Sequence, residues 1–187
     1  MATVTLLPPD LPRPVDDGAA AHLAGMRVPD VALPAADGSQ VSLASLTGRT
    51  VVYAYPRTGT PGRAPLTADW DSIPGARGCT PQSCDFRDHA SELRDLGIAH
   101  LFGLSTQGTA DQQEAASRLG LPFPLLSDER LALAEAMRLP TFEAGGLTLH
   151  KRLTLVIDDG RITHVFYPVF PPDQSAAEVV AWLRGGG

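Results

Sequence analysis

The chain has 187 residues, 43% hydrophobic and 19% charged, enough for one globular domain and too apolar for wholesale disorder. The formal net charge is −6 and no Lys/Arg block occurs, which makes nucleic acid and anionic membrane poor partners. No apolar run approaches the 18 or so residues of a membrane span.

The chain opens without a basic segment followed by an apolar one, so no signal peptide is expected and the expected compartment is the cytoplasm. Residues 1–24 read as a Pro-rich arm, with Pro8, Pro9, Pro12 and Pro14, extended or PPII-like and carrying a short helix near 19–23. The folded domain is expected over 25–187. Asp37-Gly38 is a turn between short extended runs at 31–33 and 40–42. Residues 50–55 (TVVYAY) are apolar and β-branched between Gly48 and Pro56, the pattern of a buried central strand. Residues 57–78 hold so many Gly and Pro that no regular element is expected. A loop of that length is usually functional or disordered. Its Trp70 and Ile73 would be wasted on a floppy loop, so it is expected to pack near a site or an interface.

Thr80 is a candidate N-cap with Pro81 at the first helical position, and the helix is expected to reach Leu96 and stop at Gly97. A strand follows at 98–104, a helix at 110–119, a short strand at 125–126 and a helix at 130–138. Residues 153–157 and 162–167 form a hairpin around Asp158-Asp159-Gly160, and 175–183 form a closing helix. Strands separated by helices, then a hairpin and a helix, predict an α/β fold with a mixed sheet covered on both faces, in thioredoxin-like order.

The two cysteines, Cys79 and Cys84, are too few for a disulfide scaffold. Thiols this close suggest a redox pair, a metal site or coincidence. Cys79 falls just before, or within, the first turn of its helix. Unpaired N–H groups and the positive end of the helix dipole gather there and favour thiolate over thiol. Arg77 and Arg87 are near in sequence and are candidates to add to that field. On one regular helix, residues five apart have Cα atoms roughly 8–9 Å apart, whereas a disulfide needs roughly 4.4–6.8 Å. A Cys79–Cys84 bond therefore requires the first turn to unwind, and Pro81, lacking an N–H, makes that less costly. A metal site of Cys79, Cys84 and His89 is disfavoured, because steps of five rotate about 140° and leave the three on different faces. Neither a G-x-S-x-G nucleophile nor a P-loop is present.

The run Val51 to Pro56, then Thr60-Pro61-Gly62, then Gly78-Cys79-Thr80-Pro81-Gln82-Ser83-Cys84-Asp85-Phe86-Arg87-Asp88 resembles the active-site region of a peroxiredoxin. It is most similar to the bacterioferritin comigratory protein, or peroxiredoxin Q, subfamily. Leu125-Leu126-Ser127-Asp128, the run Arg152 to Asp158, His164-Val165-Phe166 and Trp182-Leu183 agree in order, so the resemblance spans about residues 25–184. It implies a thioredoxin-like three-layer fold with a central mixed sheet flanked by helices. It implies a thiol-dependent peroxidase for hydrogen peroxide or alkyl hydroperoxides. Cys79 is then the peroxidatic cysteine and Cys84 the resolving one, joined in an intramolecular disulfide that thioredoxin or a similar dithiol protein reduces. Arg152 stabilises thiolate and peroxide, Thr60 hydrogen-bonds peroxide, and Pro56 shields the thiol. No cofactor or metal is implied, and the oligomer is a monomer or homodimer.

One departure stands out. The family places its Thr three residues before the peroxidatic Cys, where this chain has Ala76, and residues 63–78 intervene between Thr60-Pro61-Gly62 and Cys79. Thr58 and Thr80 are alternative sources of the hydroxyl. Two other functions fit a redox cysteine on this fold. One is a sensor or scaffold that oxidises at Cys79 without efficient turnover. The other is a disulfide exchanger, against which the C-x4-C spacing argues.

Overall fold

The computed structural model describes residues 7–187. Its centre is a five-stranded mixed sheet in the order β5-β4-β3-β8-β9. Here β3 is Arg49–Ala54, β4 Ile98–Ser105, β5 Leu125–Ser127, β8 Leu153–Asp158 and β9 Arg161–Phe166. β3 runs parallel to β4 and antiparallel to β8, so it is the seam between the two halves. Both faces of β3 are buried. Val51, Tyr53 and Tyr55 point into one core, Val52 and Ala54 into the other, which is the strand period of two. The first core is closed by α1 (Cys79–Asp95) and α4 (Ser175–Arg184), through Phe86, Leu93, Val179 and Val180. The second is closed by α3 (Ala132–Met137) and by Ala20 and Leu23. α2 (Thr109–Leu119) lies along β5, where buried Gln112 donates to Leu126 O at 2.7 Å. A small hairpin of β1 (Ala32–Pro34) and β2 (Gln40–Ser42) covers one end. This is the three-layer, thioredoxin-like arrangement expected from the sequence. Among the described residues no helix is long and apolar enough to cross a membrane.

Several local expectations are corrected. α1 begins two residues early, at Cys79, with Gly78 as the N-cap. Gly78 has φ 110°, a conformation open to glycine, and it lets the chain turn from the loop directly into the helix. Thr80 is therefore not the cap, and Pro81 is the third helical residue, still within the turn whose N–H groups lack intrahelical partners. Residues 18–25 form successive turns with Ala21 N to Gly18 O and Leu23 N to Ala20 O bonds, not a helix. The helix expected over 130–138 shortens to α3. There the Asp128 carboxylate accepts the Leu133 and Ala134 N–H groups and sets where the helix starts. A hairpin of β6 (Thr141–Ala144) and β7 (Leu147–His150) has no counterpart in the sequence reading. Gly145 and Gly146, at φ 57° and 75°, supply its tight turn.

The Gly/Pro-rich loop is ordered. Its one regular element is a 3₁₀ turn at Trp70–Ser72. Trp70 and Ala76 form a third apolar cluster with Ala144 and Leu149 of the β6–β7 hairpin, and Leu66, Ile73 and Phe142 pack against it. The loop and the unforeseen hairpin are thus each other's core, as the apolar residues of the loop demanded.

Gly103 in β4 tests how tightly the sheet and α1 are packed. A methyl group there would fall 2.5 Å from Leu125 Cδ2 and 2.8 Å from Tyr53 Oη. Gly103→Ala is expected to destabilise by about 1–3 kcal/mol through overpacking. Calorimetry should show a Tm lowered by about 2–4 °C per kcal/mol.

Candidate active site

Cys79 occupies the first position of α1, on the core side beneath the end of the loop. Its residue is 3% exposed. Cys84 is on the next turn and half-buried, and both thiols are free. α1 runs unbroken through both, so the spacing argument holds: as folded, the cysteines are too far apart to bond.

Arg152 joins β7 to β8 and is also 3% exposed. Its Nη2 lies 3.1, 3.4 and 3.2 Å from the carbonyl oxygens of Gly75, Ala76 and Arg77, and 3.4 Å from Cys79 Sγ. Nη1 donates to Gln82 Oε1. Gln82 is fully buried and passes the chain on, its Nε2 donating to Ser175 Oγ at 3.2 Å. Among the described residues, buried Arg152 Nε has no hydrogen-bond partner. Cys79 Sγ is 3.6 Å from Ala76 O, the acceptor for its S–H when it carries a proton. A guanidinium and the amide end of a helix thus converge on one sulfur. Both stabilise negative charge there.

Below the cysteine helix, Tyr53 stacks on Phe86 with ring centroids 4.2 Å apart and donates from Oη to Ser83 Oγ at 3.1 Å. Burial pushes both Tyr53 and Tyr55 well above the ordinary tyrosine range, so both are neutral. Burial also pushes the Cys84 thiol up, with Arg87 as the main opposing influence. Further along α1, Asp85 Oδ2 accepts the Ala176 N–H at 2.6 Å and ties the helix to α4.

The residues singled out from sequence fare unequally. Cys79 and Arg152 are brought together. Pro56 is buried at the end of β3. Thr60 is exposed, and no hydrogen bond links its hydroxyl to Cys79 or Arg152. Thr58 is buried but committed elsewhere, its N–H and hydroxyl both donating to Gln107 Oε1. The Arg77 guanidinium turns away to pair with Asp71 at 2.8 Å, and only its carbonyl reaches the site. The Arg87 guanidinium pairs with Asp88 and donates to Leu119 O. Sequence reasoning missed Gln82. Its signal was a glutamine three residues after Cys79, on the same helical face as the buried Phe86.

A cysteine at a helix start, held against a buried arginine from the β7–β8 connection on a thioredoxin-like sheet, is a reactive-thiol site of the peroxiredoxin kind. Residues 23–181 match the family model described as Redoxin. The chain is 32% identical over 162 residues to the putative chloroplastic peroxiredoxin Q of Oryza sativa subsp. indica, covering 86% of this chain and 66% of that one. It is 32% identical over 166 residues to peroxiredoxin Bcp of Escherichia coli K12, covering 86% and 95% respectively. Among solved structures, peroxidoxin BcpB of Mycobacterium tuberculosis superposes with a TM-score of 0.69 at 29% identity, over 87% of this chain and 96% of that one. The chain belongs to the redoxin family and, within it, to the peroxiredoxin Q/Bcp group, which makes it an oxidoreductase.

The raised Cys84 thiol carries a pH prediction. A pKa above the ordinary value means less thiolate at a given pH. In a Cys79→Ser variant, iodoacetamide alkylation of folded Cys84 should follow a pH curve displaced upward from that of the urea-unfolded protein. Coincident curves would contradict the assigned burial effect.

Proposed function

We propose that the protein is a cysteine peroxidase that reduces hydrogen peroxide and alkyl hydroperoxides at Cys79. The observation that carries this reading is the Arg152 guanidinium 3.4 Å from the sulfur of a cysteine opening a helix. The Cys79 thiolate attacks one peroxide oxygen and the O–O bond breaks. Sulfur gains that oxygen as a sulfenic acid, and the other oxygen takes up a proton and leaves as water or alcohol. Arg152 holds charge on sulfur and on the departing oxygen, in a site where such donors are worth more than in water. Burial around Pro56 keeps bulk water from the thiolate. Thr60 has no part in this conformation, so N–H donors do the work that a threonine hydroxyl would share.

Cys84 then attacks the Cys79 sulfenic sulfur, an S–S bond forms and water leaves. α1 unwinds at its first turn to allow it. Thioredoxin or a similar dithiol protein in the cytoplasm returns two electrons and two protons through a mixed disulfide. No cofactor takes part, since sulfur carries the electrons throughout.

The test is intact mass and free-thiol count after one equivalent of hydrogen peroxide. Wild type should lose both thiols and two hydrogens. Cys84→Ser should yield a sulfenic acid that a trapping reagent captures, and Cys79→Ser should not react. Arg152→Gln should slow oxidation of Cys79 by about 10²–10³-fold, the usual cost of one preorganised donor. A Cys79 that stays a thiol under peroxide overturns the reading. Oxidation without turnover in the presence of thioredoxin makes the protein a sensor or scaffold instead.

A further inference from the structure

Residues 7–17 lie outside the span shared with the redoxin family, yet they run across the active-site face. Leu7 packs at the helix start: a methyl group on Gly78 would fall 3.2 Å from Leu7 Cδ2 and 2.4 Å from Pro172 Cγ. Pro14 lies over Gly75. The Arg13 guanidinium sits 4.9 Å above the Phe170 ring. Asp17 closes the strap, its carboxylate accepting from Lys151 Nζ at 2.6 Å and from Tyr167 Oη at 2.7 Å. Lys151 immediately precedes Arg152, so the latch is fastened beside the active-site arginine. Both partners hold the Asp17 carboxyl well below the usual carboxylate range, which keeps the latch charged through neutral and mildly acid pH.

Between strap and domain there is a crevice. Leu11 and Pro12 of the strap line it together with Ile73 and Arg77 of the loop, Phe170, Pro172 and Arg152. Its free volume is about 10 Å³. That holds roughly one water-sized molecule. The same guanidinium contacts Cys79 Sγ through Nη2, while its buried Nε has no hydrogen-bond partner among the described residues. An unpaired buried N–H of this kind is costly unless a small acceptor reaches it. The crevice is thus lined by two arginines among largely apolar side chains, with no room for a carbon skeleton.

We propose that the N-terminal arm is a size filter on the peroxidase site: by walling the Arg152 crevice with Leu11 and Pro12 and latching through Asp17, it admits hydrogen peroxide and rejects bulky organic hydroperoxides. This rests on the peroxidase reading and narrows its substrate class. Hydrogen peroxide is little longer than water and needs only a small give in the walls. Cumene hydroperoxide must displace the arm to bring its oxygens to Arg152.

The test compares second-order rates of Cys79 oxidation by hydrogen peroxide and by cumene hydroperoxide in the full-length protein, with Leu11→Gly and Asp17→Asn as separate variants. Wild type should prefer hydrogen peroxide. Each variant should raise the cumene hydroperoxide rate at least about tenfold, the scale on which an apolar wall discriminates by size. The hydrogen peroxide rate should change less than about twofold, which also reports that the variant is folded. Both substitutions lie on the partly exposed arm, outside the sheet core. A rate ratio unchanged from wild type in both variants overturns the filter while leaving the peroxidase intact. A wild-type protein inert to both peroxides overturns the underlying reading instead.

Discussion

A buried guanidinium dictates much of this architecture. Arg152 carries five N–H donors into the interior, and a buried charge is tolerated only when acceptors surround it. The chain supplies them from two places. The end of the loop gives three consecutive carbonyls, at Gly75, Ala76 and Arg77. α1 gives the Gln82 side chain and the Cys79 sulfur. To deliver the carbonyls the loop must return to the helix start along one path. That path is held by Trp70 and Ile73 on the β6–β7 hairpin, and the hairpin in turn leads straight into Arg152. Loop, hairpin and arginine form one closed circuit of constraints.

The legible parts of this fold were those with strong local patterns. The apolar β-branched run in β3 and the Asp158-Asp159-Gly160 turn announced themselves, and so did the Gly97 stop after α1. Cys79 and Arg152 were legible because the surrounding motif is specific. What stayed hidden depended on contacts distant in sequence. The β6–β7 hairpin is short and half-exposed, and only its packing against Trp70 makes it a stable element. The cap of α1 was read as Thr80 because threonine is a good cap, whereas the close approach of Pro172 leaves no space for a Cβ at position 78 and selects glycine there. The fate of Thr60 was undecidable locally, since eighteen intervening residues separate it from the cysteine helix.

The loss of a threonine hydroxyl at position 76 has a structural counterpart. In its place stands a backbone carbonyl that accepts from both Arg152 and the Cys79 thiol. A carbonyl only accepts, so it takes the S–H of the thiol and one N–H of the guanidinium on the same oxygen.

The same contacts set what a Cys79–Cys84 bond must undo. Unwinding the first turn breaks the Gln82 N to Gly78 O bond and takes Gln82 away from Arg152 and Ser175. It need not go further. Asp85 is anchored to the Ala176 N–H, and Phe86 is locked under Tyr53, so the helix is pinned immediately after Cys84. Pro81 sits in the segment to be released and has no N–H to lose. The three loop carbonyls that Arg152 contacts come from residues before that turn, so they are not part of the segment to be released. The unwinding that a Cys79–Cys84 bond would require is thereby confined to one turn, between a glycine that permits the bend and an aspartate that stops it.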